Sequence, residues 1–176
     1  MNRWNCAATA VAIGCGATAI MDLAGEVIRH TSGGKPLDHA LVRRRIGHFT
    51  NGTFTYETTG QSEPVQGAKA LGWAAHYASG TTFAGRLLLN SPDWRVKPTL
   101  APALETGALT RGAPWFLMQR AFGLGAASSK TPDPTTARWR SLRAHSFYGS
   151  GMYVVGVSVA KLRGQAGRDD RGLVKR

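Results

Sequence analysis

The chain alternates between runs of small, weakly apolar residues and polar, basic connectors. Four runs, at 6–28, 70–90, 99–119 and 142–162, are rich in Ala, Gly, Leu and Val. Each is about 20 residues long, the length a helix needs to cross a hydrocarbon core. The pattern predicts an all-α protein: a four-helix transmembrane-type bundle with a short interfacial helix between the first two spans. That short helix would begin near Pro36-Leu37-Asp38 and place Leu37, Leu41, Ile46 and Phe49 on one stripe beside Arg43, Arg44 and Arg45, an arrangement suited to lying on a lipid surface. Asn51-Gly52 ends it, and Thr53 to Tyr56 alternates weakly, as a short extended piece does. Asp133-Pro134 reads as an N-cap followed by proline at the first helical position. Residues 1–163 form a single helical membrane domain on this reading, and the polar residues 164–176 form a disordered basic tail.

Glycine falls inside the runs, as Gly14/Gly16, Gly80/Gly85, Gly107/Gly112 and Gly149/Gly151. In a water-exposed helix each would cost about 1 kcal/mol relative to Ala, whereas between membrane helices small residues let backbones approach closely. Glu26, Arg86, Glu105 and Arg111 interrupt the same runs, and a charge at a span centre costs about 2.5–3.5 kcal/mol on insertion scales. Arg86 and Glu105 fall towards the same end of the second and third runs, so they are expected to pair. A Gly-rich soluble helical protein, with these glycines in turns, is the other reading of the pattern.

Charge changes the picture in one respect. The formal net charge is +12 and the sequence pI is ≈ 10.7, which implies an anionic partner. Lys and Arg cluster at 29–45, 120–143 and 161–176, between or after the apolar runs. That distribution suits loops at a lipid bilayer with anionic headgroups rather than a nucleic-acid groove. The mean hydropathy of −0.19 is low for a polytopic protein. The loops at 29–69 and 120–141 carry more basic residues than the opposite side, which argues that they are cytoplasmic, while the basic tail argues the other way. Cys6 and Cys15 lie too far apart on one helix to bridge, and no zinc-finger spacing occurs. Ala17-Thr18-Ala19 resembles a signal-peptidase site, but the apolar run continues through Ile20, Met21 and Leu23.

Against this background, a few polar side chains stand out in small apolar surroundings: Asp22 in GATAIMDLAG, His76 in GWAAHYASG and His145 in RAHSFYGSG, with Gln119 at the end of the third run. Counted from the 29–69 and 120–141 side, their depths are roughly 9, 9, 5 and 0 Å at 1.5 Å per residue, one polar layer. Ionisable groups at such depth usually face the bundle interior and pair. A carboxylate–imidazole pair relays protons, and two His with a carboxylate hold a metal ion. The bland alternatives are interfacial anchoring by the two His and plain interhelical hydrogen bonding by Asp22. Asp38 reads as a helix cap and His48 as a solvated residue.

Pro114 lies inside the third run and would kink it ahead of Met118-Gln119. Gly123 to Ser129 reads as a flexible turn or a backbone nest for an anion. Arg43, Arg44, Arg138 and Arg140 are placed to meet lipid headgroups. No GxSxG elbow, P-loop or HExxH motif is present, so neither a catalytic residue nor a cofactor is assigned.

GATAIMDL at 16–23, PLDHALV at 36–42, Ile46-Gly47-His48 with Gly52-Thr53-Phe54, LGWAAHY at 71–77, PTLAPAL at 98–104, PWFLMQ at 114–119 followed by GLGAASSKTPDP, and ARWRSLRAH at 137–145 together resemble the bacterial domain of unknown function 2938 family over about residues 13–157. The resemblance implies a small multi-pass protein of the bacterial inner membrane and no established activity. Glu26, Arg86, Glu105, Arg111 and Arg120 depart from the apolar, small or proline residues expected there.

The leading expectation is a multi-pass inner-membrane protein whose Asp/His layer moves protons, a metal ion or a small polar solute. A membrane enzyme acting on a lipid or headgroup substrate is the second reading, and a soluble basic helical binding protein is the third.

Overall fold

The computed structural model describes residues 3–32, 68–121 and 123–173. Among them are four main helices and no strand: α1, Arg3–Ser32; α2, Ala68–Asn90; α3, Leu100–Thr110; and α4, Pro134–Leu173. A 3-10 turn at Pro92–Arg95 joins α2 to α3, and a π-helical turn at Ala113–Met118 runs on into a helical turn at Gln119–Ala121. The expected interfacial helix with Arg43 and Arg44, and the extended piece at 53–56, lie outside the described residues.

The all-α expectation is met, with three revisions of its boundaries. The third run is broken rather than continuous. Pro114 has no N–H to donate, and the backbone widens into the π turn there while Trp115 N still bonds Arg111 O at 3.0 Å. The helix starting at Asp133-Pro134 and the fourth run are a single element of 40 residues, about 60 Å long. That helix also continues through residues 164–173, where composition suggests a disordered tail. At its start, Thr136 N donates to Asp133 Oδ1 at 3.0 Å, and the bonds from Thr136 hold the Asp133 carboxyl below its usual range.

Packing order follows from where glycine permits contact. Gly14 lies against the Thr81 backbone and Gly85 against Ala10, so α1 and α2 run antiparallel. Gly151 faces Ala17, and Gly16 faces Val155, so α4 runs antiparallel to α1 as well. On its other side α4 meets α3, where Gly107 and Gly149 face each other and a Cβ built on Gly149 would stand 2.9 Å from Ala103 O and Leu104 Cα. A side chain at Gly14, Gly107 or Gly149 would meet the backbone of the facing helix and force the two apart. The lateral order is therefore α2, α1, α4, α3, with α1 and α4 in the middle and α2 touching α3 little. Directions alternate along the chain, so Ser32, Ala68, Ala121 and Pro134 gather at one end of the bundle.

The expected Arg86–Glu105 pair is not formed. Both side chains are exposed and no ion pair joins them, although α2 and α3 touch slightly.

The interior is built from small residues and hydroxyls around a few large side chains. Ile13, Ala17, Ala84, Leu88, Ala103, Tyr148 and Met152 are buried together with Thr9, Thr18, Thr106 and Thr110. Each of those threonines returns its hydroxyl to a carbonyl of the preceding turn, as Thr18 does to Gly14 O at 2.8 Å and Thr106 to Pro102 O at 2.8 Å, so no donor is stranded. Tyr148 crosses from α4 to give its hydroxyl proton to Gly80 O at 2.6 Å. At the opposite end Trp94 closes the core, its ring against Gly156 and its indole N–H on Thr99 O at 2.8 Å. Large apolar side chains instead face outward: Val11, Leu23, Val27, Leu89, Leu104, Leu109, Phe116, Val154 and Leu162 are all exposed.

Among the described residues one helix, over Asn5–Thr31, is by length and composition long and apolar enough to cross a membrane. In α2 and α4 the Gly, Ser, Thr and His residues that serve close packing dilute the hydropathy, and α3 is broken. The four equivalent spans expected from the sequence are therefore reduced to one that qualifies on its own.

Candidate functional site

α1 and α2 place Asp22 and His76 side by side. Asp22 stands ten residues before the end of α1 and His76 eight residues after the start of α2, about 15 and 12 Å from the connector end, deeper than the sequence reading placed them. His76 Nε2 and Asp22 Oδ1 are 3.0 Å apart, with side-chain exposures of 24% and 18%. The imidazole is boxed by its own helix: the Trp73 ring meets it at 6.1 Å and the Tyr77 ring at 5.7 Å, both edge-on. This restricts the ring to few orientations. Tyr77 and Cys15 flank the carboxylate side of the cluster, and Cys15 Sγ is 3.7 Å from Thr81 Oγ1. The second carboxylate oxygen, Asp22 Oδ2, is buried without a hydrogen-bond partner.

His145 belongs to the same neighbourhood but has its own partner. It stands eleven residues into α4, about 16 Å from the connector end, where His76 and Arg111 act on it electrostatically. Its Nδ1 lies 2.7 Å from Thr110 Oγ1, and that hydroxyl in turn donates to Gly107 O at 2.6 Å. A hydroxyl has one proton to give. With that proton on the Gly107 carbonyl, His145 Nδ1 is the donor to Thr110, and the neutral ring keeps an unprotonated Nε2.

Gln119 is not part of this layer. It lies nine residues beyond Thr110, about 13 Å along the helical path, and its Oε1 is buried without a partner near the connector end. Among the described residues no three His, Cys, Asp or Glu side chains stand close enough to hold a metal ion, so the two-His, one-carboxylate ligand set is not formed. Arg138 and Arg140 are exposed near the start of α4. Arg138 Nε bonds Ala127 O at 2.8 Å, while Arg140 lies in the field of the Asp133 carboxylate. The positions of Arg43, Arg44, Asp38 and His48 lie outside the described residues.

Thr110, Trp73 and Tyr77 are contributions that the sequence reading did not assign. Tyr77 and Trp73 carried a signal, since they lie one and three residues from His76. Thr110 carried none, because a threonine in an Ala/Gly/Leu run looks like packing.

The charge of the pair is its chemistry. A carboxylate bonded to an imidazole is the arrangement that lets a proton pass between two side chains, and the Tyr77 hydroxyl stands beside the same carboxylate. No curated protein and no solved structure matches the chain. Residues 11–159 match a family model, and the chain belongs to the family described as protein of unknown function (DUF2938).

Proposed function

We propose that this protein is a multi-pass membrane protein of the bacterial inner membrane in which Asp22 and His76 exchange a proton during passage of protons or of a small polar solute. The observation that carries the reading is the 3.0 Å contact between His76 Nε2 and Asp22 Oδ1 at mid-helix depth. Two further features support it. The core mixes small and hydroxyl side chains with Ile13, Leu88 and Met152, while Leu23, Leu89 and Val154 face outward, an exposed aliphatic surface that suits a lipid environment where dispersion packing replaces the hydrophobic effect. An ionisable pair retained at such depth is costly, so it is usually functional. His145, held by Thr110, is the second proton-exchanging group on the path.

Reconstitution into liposomes loaded with a pH-sensitive dye tests the reading. An imposed pH gradient should collapse faster than in empty vesicles, with or without a co-transported solute. Collapse at the empty-vesicle rate under a range of polar solutes would leave the pair as a structural hydrogen bond.

A further inference from the structure

At the connector end, the π turn and the first turns of α4 enclose a cleft of ≈ 160 Å³ lined by Trp115, Thr135, Arg138, Trp139 and Leu142. Its walls are mostly aromatic and aliphatic, with a single cation. Trp115 forms a fixed wall: its indole N–H donates to Ser141 Oγ at 2.9 Å, and the Arg111 guanidinium stacks 5.1 Å from its ring centroid. Trp139 is 65% exposed and Phe116 55% exposed. Large aromatic rings left open at one end of a helical bundle, level with a belt of arginines, match the headgroup zone of a bilayer.

Arg138 is prepared for an anion. Its Nε is committed to the Ala127 carbonyl, which fixes the stem and leaves the terminal nitrogens of the guanidinium fork for a ligand. Ala127 itself is held at φ 47, in the left-handed region, an unfavourable conformation for alanine. The carbonyl that steadies the arginine is thus part of a turn the sequence does not favour locally. Arg140, two residues on and so on a different face of α4, has the Asp133 carboxylate nearby, whereas Arg138 faces no acidic partner among the described residues.

We infer that this cleft binds the phosphodiester headgroup of an anionic phospholipid, with Arg138 on the phosphate and Trp139 and Leu142 against the first methylenes of an acyl chain. The cleft, at ≈ 160 Å³, is too small for a folded partner and suits a single headgroup with the start of a chain. The inference rests on the membrane part of the reading above and is independent of proton movement. Arginine and phosphate form charge-assisted, bidentate hydrogen bonds, and the tryptophans supply the amphipathic border.

The test uses the full chain in nanodiscs of phosphatidylcholine containing a minor fraction of phosphatidylglycerol, with lipids retained after gentle detergent extraction identified by native mass spectrometry. Wild type should retain phosphatidylglycerol in excess of its share. Arg138→Gln should lower that enrichment about fivefold, as expected for losing one charge-assisted contact, and Trp139→Ala should shorten retention. Arg163→Gln, at the far end of α4 where Arg163 reaches Asn5 O, should change nothing. Equal losses from Arg138→Gln and Arg163→Gln would reduce the effect to overall charge and overturn the site. Displacement of the lipid by inorganic phosphate would overturn it in favour of a free-phosphate site. Insertion without enrichment would overturn this inference alone, and failure to insert would overturn the membrane reading with it.

Discussion

His76 Nε2 and Asp22 Oδ1 lie 3.0 Å apart across the α1–α2 contact, and that contact exists because Gly14 and Gly80 let the two backbones meet one to two turns away. Close packing and the polar pair are thus one design. A bulkier residue at either glycine would separate the helices that the hydrogen bond must span.

The glycine contacts differ in a way that stability measurements read directly. Gly149→Ala places a Cβ 2.9 Å from Ala103 O and Leu104 Cα, and overpacking of this kind costs about 1–3 kcal/mol. Gly25→Ala meets nothing within 4 Å and should stabilise by up to about 1 kcal/mol through helix propensity. Thermal unfolding in detergent should lower the midpoint for the first and raise or preserve it for the second. The reverse order would contradict the packing of α3 on α4.

Arg86 and Glu105 are expected to be uncoupled. With both side chains exposed and no ion pair between them, Arg86→Gln and Glu105→Gln should act independently, adding to within about 0.5 kcal/mol in a double-mutant cycle. A coupling energy well above that would show that the two charges pair.

Thr110 should fix the tautomer of His145. Nitrogen NMR of selectively labelled protein is expected to show a protonated Nδ1 and a bare Nε2 for the neutral ring. Thr110→Ser preserves that pattern and Thr110→Val mixes the tautomers. A bare Nδ1 in the wild type would reverse the hydrogen-bond direction argued from Gly107 O.

Location is tested by fractionation. The protein should remain with membranes through a carbonate wash, because its outward face carries Leu23, Val27, Leu89, Leu104 and Val154. Release as a compact monomer in plain buffer would contradict the membrane reading.

Particular residues mark how far the sequence could be read. Asp22 and His76 were legible because a charged or titratable side chain in a run of Ala, Gly and Leu has no packing role. The helical class was legible from the same runs, and Asp133-Pro134 marked the start of α4. Gln119 was grouped with the layer although its expected depth of about 0 Å put it at the connector end, away from Asp22 and His76. The Arg86–Glu105 pair was misjudged because a shared end of two successive runs does not fix which way each side chain points, and both are exposed. Lateral order is decided by which glycine faces meet, a property of pairs of helices that no single stretch reveals. The Thr110–His145 bond was hidden for the same reason.

The central claim is that Asp22 and His76 exchange a proton as a pair, and the rate of pH-gradient collapse in liposomes containing the variants tests it most directly. Asp22→Asn keeps the side-chain shape and an acceptor for His76, so its unfolding midpoint should stay within about 2 °C, equivalent to no more than about 1 kcal/mol for a chain of this size. Its flux, and that of His76→Gln, should fall about a hundredfold or to the empty-vesicle rate, as expected for loss of a positioned proton carrier. Wild-type flux from correctly folded Asp22→Asn protein would contradict the claim.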